Sequence, residues 1–483
     1  MQFPTGGIAR EPYGMIRSDS GADSTVWMEE DTRDTRESVF MPAMQTPWNL
    51  DSGAFYIPSS STFVYSVYAS SPNDFGLFLF DAYRSVAMES KFMLRALELA
   101  KQGCGNVSPN PLVGAVIVKD GRIIGEGFHE TYGGLHAERN ALLDCRTRGE
   151  SASGADIYVT LEPCCHHGKQ PPCTDALIEA GLRRVYVGSR DPNPLVSGKG
   201  IAILRSHGIE VEEQILREAC DAMNVIFFHY IRTGLPFVLL KYAMSLDGKI
   251  ACSNGASRWI TGEQARRHVH ETRNRYASVM VGINTVLADD PSLSCRIPGG
   301  RNPIRIVCDS GLRIPLRSAL VQSASDIRTI IACCEAHSAE KRSALEQRGC
   351  EILVCGKAAQ VDLAELFRRL GEKQIDSVLL EGGATLAWSA LSLGLVNRVH
   401  AYIAPKLIGG VAAPSPLGGC GVENPSGAFR LVKRKLSTLG SDLLLEGDLE
   451  VPFLSCGQDP TASQSRTESP SKRPANHSRK EVI

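Results

Sequence analysis

The sequence predicts an α/β protein of two layered domains, and three observations carry that reading. From residue 89 onward, short apolar runs alternate with segments of helical periodicity. Asp120-Gly121 stands between two such runs as a hairpin turn near the head of the series. The stretch Arg232-Thr-Gly-Leu-Pro236 interrupts the alternation and divides it into two series, 89–232 and 236–452.

Residues 1–88 stand apart. They are rich in Ser, Asp, Pro and aromatics without a sustained period of 2 or 3.6, and read as a disordered segment or as an upstream extension of a gene whose functional start lies near Met88. Glu29, Glu30, Asp31, Asp34 and Glu37 argue against a transit peptide, and no basic region precedes an apolar core as in a secretory signal.

In the first series, Phe92, Met93, Ala96, Leu97 and Ala100 fall at helical spacing, and Gly103 and Gly105 stop that helix. Val113–Val118 and Arg122–Gly127 are the hairpin strands. His136–Cys145 reads as a helix, Asp156–Leu161 as a strand delivering Pro163-Cys164, and Thr174–Ala180 as a helix that Cys173 immediately precedes. Strand Arg184–Gly188, helix Ile201–Ser206 and strand Ile209–Val211 follow, and one closing helix runs from about Leu216 to Ile231.

The second series has strands at Phe237–Ala243, Ser278–Gly282, Ile304–Cys308, Ile327–Cys333, Ser377–Glu381 and Arg398–Ile403. Helices are expected at Glu263–Tyr276, about Ala339–Gln347, about Leu363–Leu370, and from Gly382-Gly383 to about Leu393. Arg430–Leu436 and Asp442–Glu450 suggest a closing antiparallel pair, and the tail 457–483, rich in Ser, Pro, Lys and Arg, reads as disordered.

Composition narrows the function classes. The 483 residues, 43% hydrophobic and 22% charged, describe a soluble globular chain long enough for two or three cores. A formal net charge of −1 supplies no global basic field for nucleic acid, and no apolar run reaches the length of a membrane span. The fifteen cysteines lack a disulfide-framework spacing, which points to a reducing compartment, the cytoplasm.

The chemistry concentrates in His136-Ala137-Glu138, Pro163-Cys164 and Cys173. One imidazole and two thiols can hold a zinc ion with a position left for water, and a free carboxylate beside them moves protons. The zinc deaminase signature is H-x-E followed by P-C-x-x-C, with the Glu as acid/base and not as ligand. Here the second Cys comes nine positions after the first, and Cys165, His166 and His167 within the gap are also ligands by type. A closed structural site is the bland alternative, but it leaves Glu138 without a purpose.

These residues extend into a resemblance. Asn110-Pro-Leu-Val-Gly114, His136-Ala-Glu138, Thr160-Leu-Glu-Pro-Cys-Cys-His-His-Gly168, Pro171-Pro-Cys173 and Asp191-Pro-Asn-Pro194 look like the deaminase half of the bifunctional RibD family of riboflavin biosynthesis. Lys241-Tyr-Ala-Met-Ser-Leu-Asp-Gly248, Ser257-Arg-Trp-Ile-Thr261, Thr285-Val-Leu-Ala-Asp-Asp-Pro291, Glu381-Gly-Gly-Ala-Thr385 and Ala404-Pro-Lys-Leu-Ile-Gly409 look like its reductase half. The likeness covers about residues 89–452, and in that family the long Cys spacer is normal. It implies a cytidine-deaminase-like three-layer domain followed by a dihydrofolate-reductase-like α/β domain. The reactions implied are hydrolytic loss of the 2-amino group from 2,5-diamino-6-(phosphoribosylamino)pyrimidinone, then NADPH-dependent reduction of the ribosyl group to ribityl.

By that resemblance His136, Cys164 and Cys173 hold Zn2+, Glu138 shuttles protons, Asn110, His129 and Lys169 bind substrate, and Cys165 is a neighbour of the metal. Likewise Ala243, Trp259, Thr285, Asp289, Ser310 and the run Gly383, Ala384, Thr385, Leu386, Ala387, Trp388 and Ser389 line the NADPH site. Ser257, Arg273, Leu293, Arg296 and Glu381 match substrate positions. Arg273 and Arg296 are candidates to grip a phosphate, although on residue type alone Arg273 reads as a solvated helix face. Asp289 is a candidate polar group at the sugar C1′. No G-x-G-x-x-G follows a first strand, so a Rossmann domain is not indicated. The family tends towards homo-oligomers. Two rivals stand: a nucleic-acid deaminase with an appended domain, disfavoured by the charge and by only 6% aromatics, and a zinc-stabilised scaffold without activity.

Overall fold

The computed structural model describes residues 90–450, apart from 168, 169, 194, 195 and 358. The expectations for 1–88, for the tail and for Lys169 lie outside the described residues.

The first half is a five-stranded sheet between two helical layers. Its elements are α1 (residues 90–102), β1 (Gly114–Lys119), β2 (Arg122–Phe128), α2 (Ala137–Thr147), β3 (Asp156–Leu161), α3 (Cys173–Glu179), β4 (Arg184–Ser189), α4 (Lys199–Ser206), β5 (Glu210–Glu213), α5 (Arg217–Met223) and α6 (Val225–Thr233). Strand order is β2-β1-β3-β4-β5, antiparallel at β2-β1-β3 and parallel from β3 to β5. Asp120 and Gly121 both have positive φ, 51° and 73°, as a two-residue hairpin turn requires. Side chains alternate across the sheet. Ile157, Val159, Val185 and Val187 pack with residues of α2, α3 and α4. Tyr158 and Tyr186 stack at 4.2 Å on the other face, with Phe92 and Met93 of α1 and Cys220 of α5. Gly127 lets α2 lie against β2, because a Cβ there would come within 2.3 Å of the Ala141 amide nitrogen. That approach sets where the first turn of α2 sits.

The second half is a nine-stranded mixed sheet. It contains β6 (Phe237–Ser245), α7 (Glu263–Arg275), β7 (Ser278–Gly282), α8 (Ile283–Asp289), β8 (Ile304–Cys308), α9 (Ala319–Gln322), β9 (Thr329–Cys333), α10 (Ala339–Glu346), β10 (Cys350–Val354), α11 (Leu363–Glu372), β11 (Ser377–Leu380), α12 (Ala384–Ser392), β12 (Arg398–Ala404), β13 (Leu431–Leu439) and β14 (Asp442–Leu449). The order is β10-β9-β8-β7-β11-β6-β12-β14-β13, parallel from β10 to β12 and antiparallel beyond. Both faces of the central strands are buried: Val238, Leu240, Met280 and Leu380 belong to one core, Leu239, Val279, Val281 and Leu379 to the other. Continuous apolar runs are the signature of such two-sided burial.

The structure departs from the sequence reading in a few places. The helix expected from Leu216 to Ile231 breaks at Asn224 (φ −106°, ψ 21°) into α5 and α6. The Asn224 amide is used instead as a strut, accepting from the Leu112 N–H and donating to the Leu112 carbonyl, both at 2.9 Å. Cys173 is the first residue of α3, not the one before it, because Pro172 takes the cap position. The short elements α8, α9 and β10 are not expected from the sequence: the two helices span about two turns or fewer, and β10 carries Glu351 within its apolar run.

Candidate active sites

Three separate elements bring the sulfur and nitrogen donors together. His136 caps α2 with extended backbone (φ −75°, ψ 161°), Cys164 lies just past the end of β3, and Cys173 opens α3. His136 Nδ1 is 3.4 Å from both the Cys164 and the Cys173 Sγ, and all three donor atoms lie within 4.8 Å of one another. The Cys173 backbone N–H donates to the Cys164 sulfur at 3.3 Å. Hydrogen bonds from Cys173 and then His136 bring the Cys164 thiol down to about 4, while the Cys173 thiol is pushed well up by Cys164 and by burial. One thiolate is therefore already favoured, and the donor set, two sulfurs and an imidazole, is that of a hydrolytic zinc site. Cys165 and His166, which were open as ligands by type, stand outside this cluster, as does His167.

Glu138 sits in the first turn of α2 and is only 3% exposed. Burial raises its carboxyl above the ordinary range, helped by the Cys164 thiolate. A carboxyl with raised proton affinity beside the metal donors is placed to exchange protons with a water or a substrate there. It opens on a cavity of about 280 Å³ that Asn110, His129, His136 and Cys164 also line. His129 Nδ1 donates to the Leu135 carbonyl at 2.9 Å, so Nε2 accepts from the Asn110 amide at 3.1 Å. Burial lowers the His129 pKa and keeps that ring neutral.

The second half carries its charges on a buried triad and its cleft elsewhere. Arg273 on α7 makes a two-pronged bond to Glu381, 2.6 and 2.8 Å, and donates through Nη1 to the Ser294 carbonyl at 2.9 Å. Lys241 on β6 lies 3.6 Å from the same carboxylate. Burial alone would raise the Glu381 carboxyl, but Arg273 and Lys241 hold it down at about 2. Arg273 is thus no solvated helix face, and its fork is closed on Glu381 and not open to a phosphate. Arg296, by contrast, is exposed, bound only to the Ser292 hydroxyl at 2.9 Å among its hydrogen bonds here. Leu293 is buried at a positive φ of 50°.

A cleft of about 770 Å³ runs along the N-terminal end of α12 and gathers Ser310, Gly383, Ala384, Thr385, Leu386 and Ser389. Gly382 has φ +133°, a conformation side chains rarely adopt, and the Gly383 N–H donates to the Thr285 hydroxyl at 3.2 Å. The remaining expected cofactor residues are not in that cleft. Ala387 belongs to the core, Trp388 meets Phe429 edge-on, Ala243 packs beside Tyr402, and Trp259 is 62% exposed under Arg266. Ser257 and Asp289 line a separate open pocket. Residues on the cleft that the sequence did not single out include Arg313 and Gln360; nothing in their local pattern distinguishes them from loop residues, and only the strand ends bring them there. In the first half, Gln170 and Asp191 were missed as cavity residues in the same way; burial pushes the Asp191 carboxyl up to about 6.

Fold and site together define a hydrolytic deaminase half joined to a reductase half. Residues 87–189 match the family described as the cytidine and deoxycytidylate deaminase zinc-binding region, and residues 236–445 match the RibD C-terminal domain. The chain belongs to the RibD family of riboflavin biosynthesis proteins. It is 54% identical over 356 residues to the riboflavin biosynthesis protein RibD of Actinobacillus pleuropneumoniae, covering 74% of this chain and 94% of that one. Against the Escherichia coli protein of the same name it is 40% identical over 370 residues, 73% and 97% of the two chains. Among solved structures, a diaminohydroxyphosphoribosylaminopyrimidine deaminase/5-amino-6-(5-phosphoribosylamino)uracil reductase from Thermotoga maritima is 41% identical with a TM-score of 0.67, over 76% of this chain and 99% of the other. Acinetobacter baumannii RibD aligns with a TM-score of 0.68 at 38% identity, over 76% and 100%. The chain is accordingly a bifunctional enzyme of riboflavin biosynthesis, a deaminase that uses Zn2+ and a reductase that uses NADPH.

Proposed function

We propose that residues 89–232 hydrolyse the 2-amino group from 2,5-diamino-6-(phosphoribosylamino)pyrimidinone, and that residues 236–452 then reduce the ribosyl group of the aminouracil product to a ribityl chain. The observation that carries this reading is the buried Glu138 carboxyl beside the His136, Cys164 and Cys173 donors, at the floor of a cavity walled by Asn110 and His129. His136, Cys164 and Cys173 would hold the zinc, which supplies the Lewis acidity that makes water nucleophilic at neutral pH. Glu138 would carry one proton of the attacking water to the ring nitrogen as the C–O bond forms, and then the remaining hydroxyl proton to the amine, which leaves as ammonia as the C–N bond breaks and the carbonyl forms. Asn110 reads the ring edge by its amide, and His129, kept neutral and oriented by Leu135, fixes Asn110.

In the reductase half NADPH supplies the hydride. The glycine turn at Gly382-Gly383 leads into α12, whose first-turn N–H groups, from Ala384 onward, are where a phosphate is best received. Glu381, fixed by Arg273 and Lys241, is the group set to accept from sugar hydroxyls, and exposed Arg296 is a cation available to the substrate phosphate. Among the described residues no helix is long and apolar enough to cross a membrane. The scattered reduced cysteines and the net charge of −1 support a cytoplasmic enzyme that acts on a small molecule and not on nucleic acid. A homo-oligomer completes the reading.

A coupled assay tests it: ammonia release without NADPH, then NADPH oxidation on the deaminated product, for the full chain and for a chain starting at Met88. Both activities are expected in both chains. A protein that binds zinc but turns over neither substrate would be a scaffold.

A further inference from the structure

The two halves touch beside the loop that carries Asn110. The turn between α11 and β11, residues 371–376, meets three parts of the deaminase half. The Gly371 carbonyl accepts from the Tyr230 hydroxyl at 2.9 Å, the Gln374 side chain receives the Tyr132 hydroxyl at 3.5 Å, and Asp376 and Ser108 face each other on one small cavity. Asp376 is buried and is bonded by the Ser377 hydroxyl at 2.7 Å.

Ser108 stands two residues before Asn110, and both line a small cavity at this junction, together with Asp376 and Arg275. Asn110 and Tyr132 also line the deaminase cavity itself. The same loop is gripped at its start by α7. Gly105, at φ +91°, lies so close to Asn274 that a Cβ would fall 2.8 Å from its Oδ1, and the Asn274 amide donates to the Cys104 carbonyl at 3.5 Å. Its far end is held within the deaminase half by the Asn224 strut on Leu112. Asn110 therefore sits mid-span on a loop pinned at two points by the reductase half. Its other contact, His129, is in the cavity wall.

We propose that Asp376 and Asn274 of the reductase half are positioning residues for deamination: through Ser108 and Gly105 they set the 103–112 loop so that Asn110 faces the substrate. The proposal rests on the functional reading above. A side chain that reads a ring edge must be held within a few tenths of an ångström, and a loop achieves that only when its backbone is fixed by outside groups. The device also explains why a deaminase with its own core carries an intimate contact to a second catalytic half. Neither Asp376 nor Asn274 touches either cavity's chemistry, so the effect belongs to substrate binding and not to proton transfer.

The test uses the full-length zinc-loaded enzyme and the variants Ser108→Ala, Asp376→Ala, Asp376→Asn and the Ser108→Ala/Asp376→Ala pair. The readouts are deaminase KM and kcat, the dissociation constant of the phosphoribosylated aminouracil product, and zinc content. Loss of that contact is expected to raise deaminase KM and that dissociation constant about tenfold in Ser108→Ala and Asp376→Ala, with kcat within about twofold and full zinc. The double variant should be no worse than the singles, and Asp376→Asn, which keeps an acceptor oxygen, should recover most of the loss. Reduction of the deaminated product by Ser108→Ala should match wild type. An unchanged KM in Ser108→Ala overturns the proposal even where Asp376→Ala fails to fold; so do additive losses, or a fall confined to kcat. A wild-type chain that binds zinc without releasing ammonia overturns the functional reading and the proposal with it.

Discussion

The site of His136, Cys164 and Cys173 and the cleft at the start of α12, proposed above to receive NADPH, are built on opposite plans. In the deaminase half three donor atoms within 4.8 Å come from a helix cap, a strand exit and a helix start, and the acid sits beside them on a cavity of about 280 Å³. In the reductase half the ionic triad of Arg273, Glu381 and Lys241 is compact, but the cleft of about 770 Å³ is lined mostly by backbone and small side chains at strand and helix ends. A metal needs its few donors assembled before it arrives, whereas a dinucleotide is met over its length by groups that each contribute little. Single substitutions should therefore be severe in the first region and graded in the second.

That contrast can be broken at several points. The largest effect is expected for Glu138→Gln, which should lower ammonia release by about 10²- to 10⁴-fold while zinc content and NADPH-dependent reduction stay at wild-type levels. A variant that still deaminates at the wild-type rate removes Glu138 from the mechanism. Next, Cys173→Ala should abolish stoichiometric zinc, read by metal analysis, and with it deamination, yet leave reduction within about twofold, because the two cores are separate.

Glu381→Gln strands Lys241 and Arg273 without their counter-charge, at a cost of about 3–5 kcal/mol read from denaturant unfolding, and lowers reduction more than deamination. The pH dependence gives a second reading of the same group. The Glu381 carboxyl sits at about 2 in the fold against an ordinary 4.5. Its ionised form therefore stabilises the fold above about 4.5, and that contribution is lost as pH falls from there through about 2. Wild type should lose stability over this window, and Glu381→Gln should lose less.

Smaller again, Gly382→Ala places a side chain at φ +133° and should raise the KM for NADPH about tenfold with deamination unaffected. The smallest change is set for Asn224→Ala. Losing both bonds to Leu112 should cost about 1–3 kcal/mol of stability, with reduction unchanged. A large loss of reduction in that variant would contradict the separation of the two regions.

Much of this protein is legible without coordinates. The strands at Asp156–Leu161, Ser278–Gly282 and Ile304–Cys308 appear where the apolar runs stand, because burial on both faces leaves an uninterrupted apolar stretch. His136, Glu138 and Cys164 stand out in the sequence because H-x-E and P-C place rare residue types at the ends of recognisable elements, whereas Cys173 is separated from Cys165, His166 and His167 only by the family resemblance. What the chain order could not decide was which way long-range partners turn. Arg273 looked like a solvated helix face, and a glutamate 108 positions away closes its fork. Asn224 looked like one more residue of a helix, and its amide instead braces a loop 112 positions distant. Ala387 and Trp388 belong to the glycine-turn run by order, yet the turn of α12 sends them away from the cleft. Local periodicity and residue chemistry thus determined most of the elements and the candidate donors, since both are short-range properties. The orientation of Arg273, the lining of the cleft and the clamp of the reductase half on the Asn110 loop were decided only by tertiary packing, because their partners are set by strand order and not by distance along the chain.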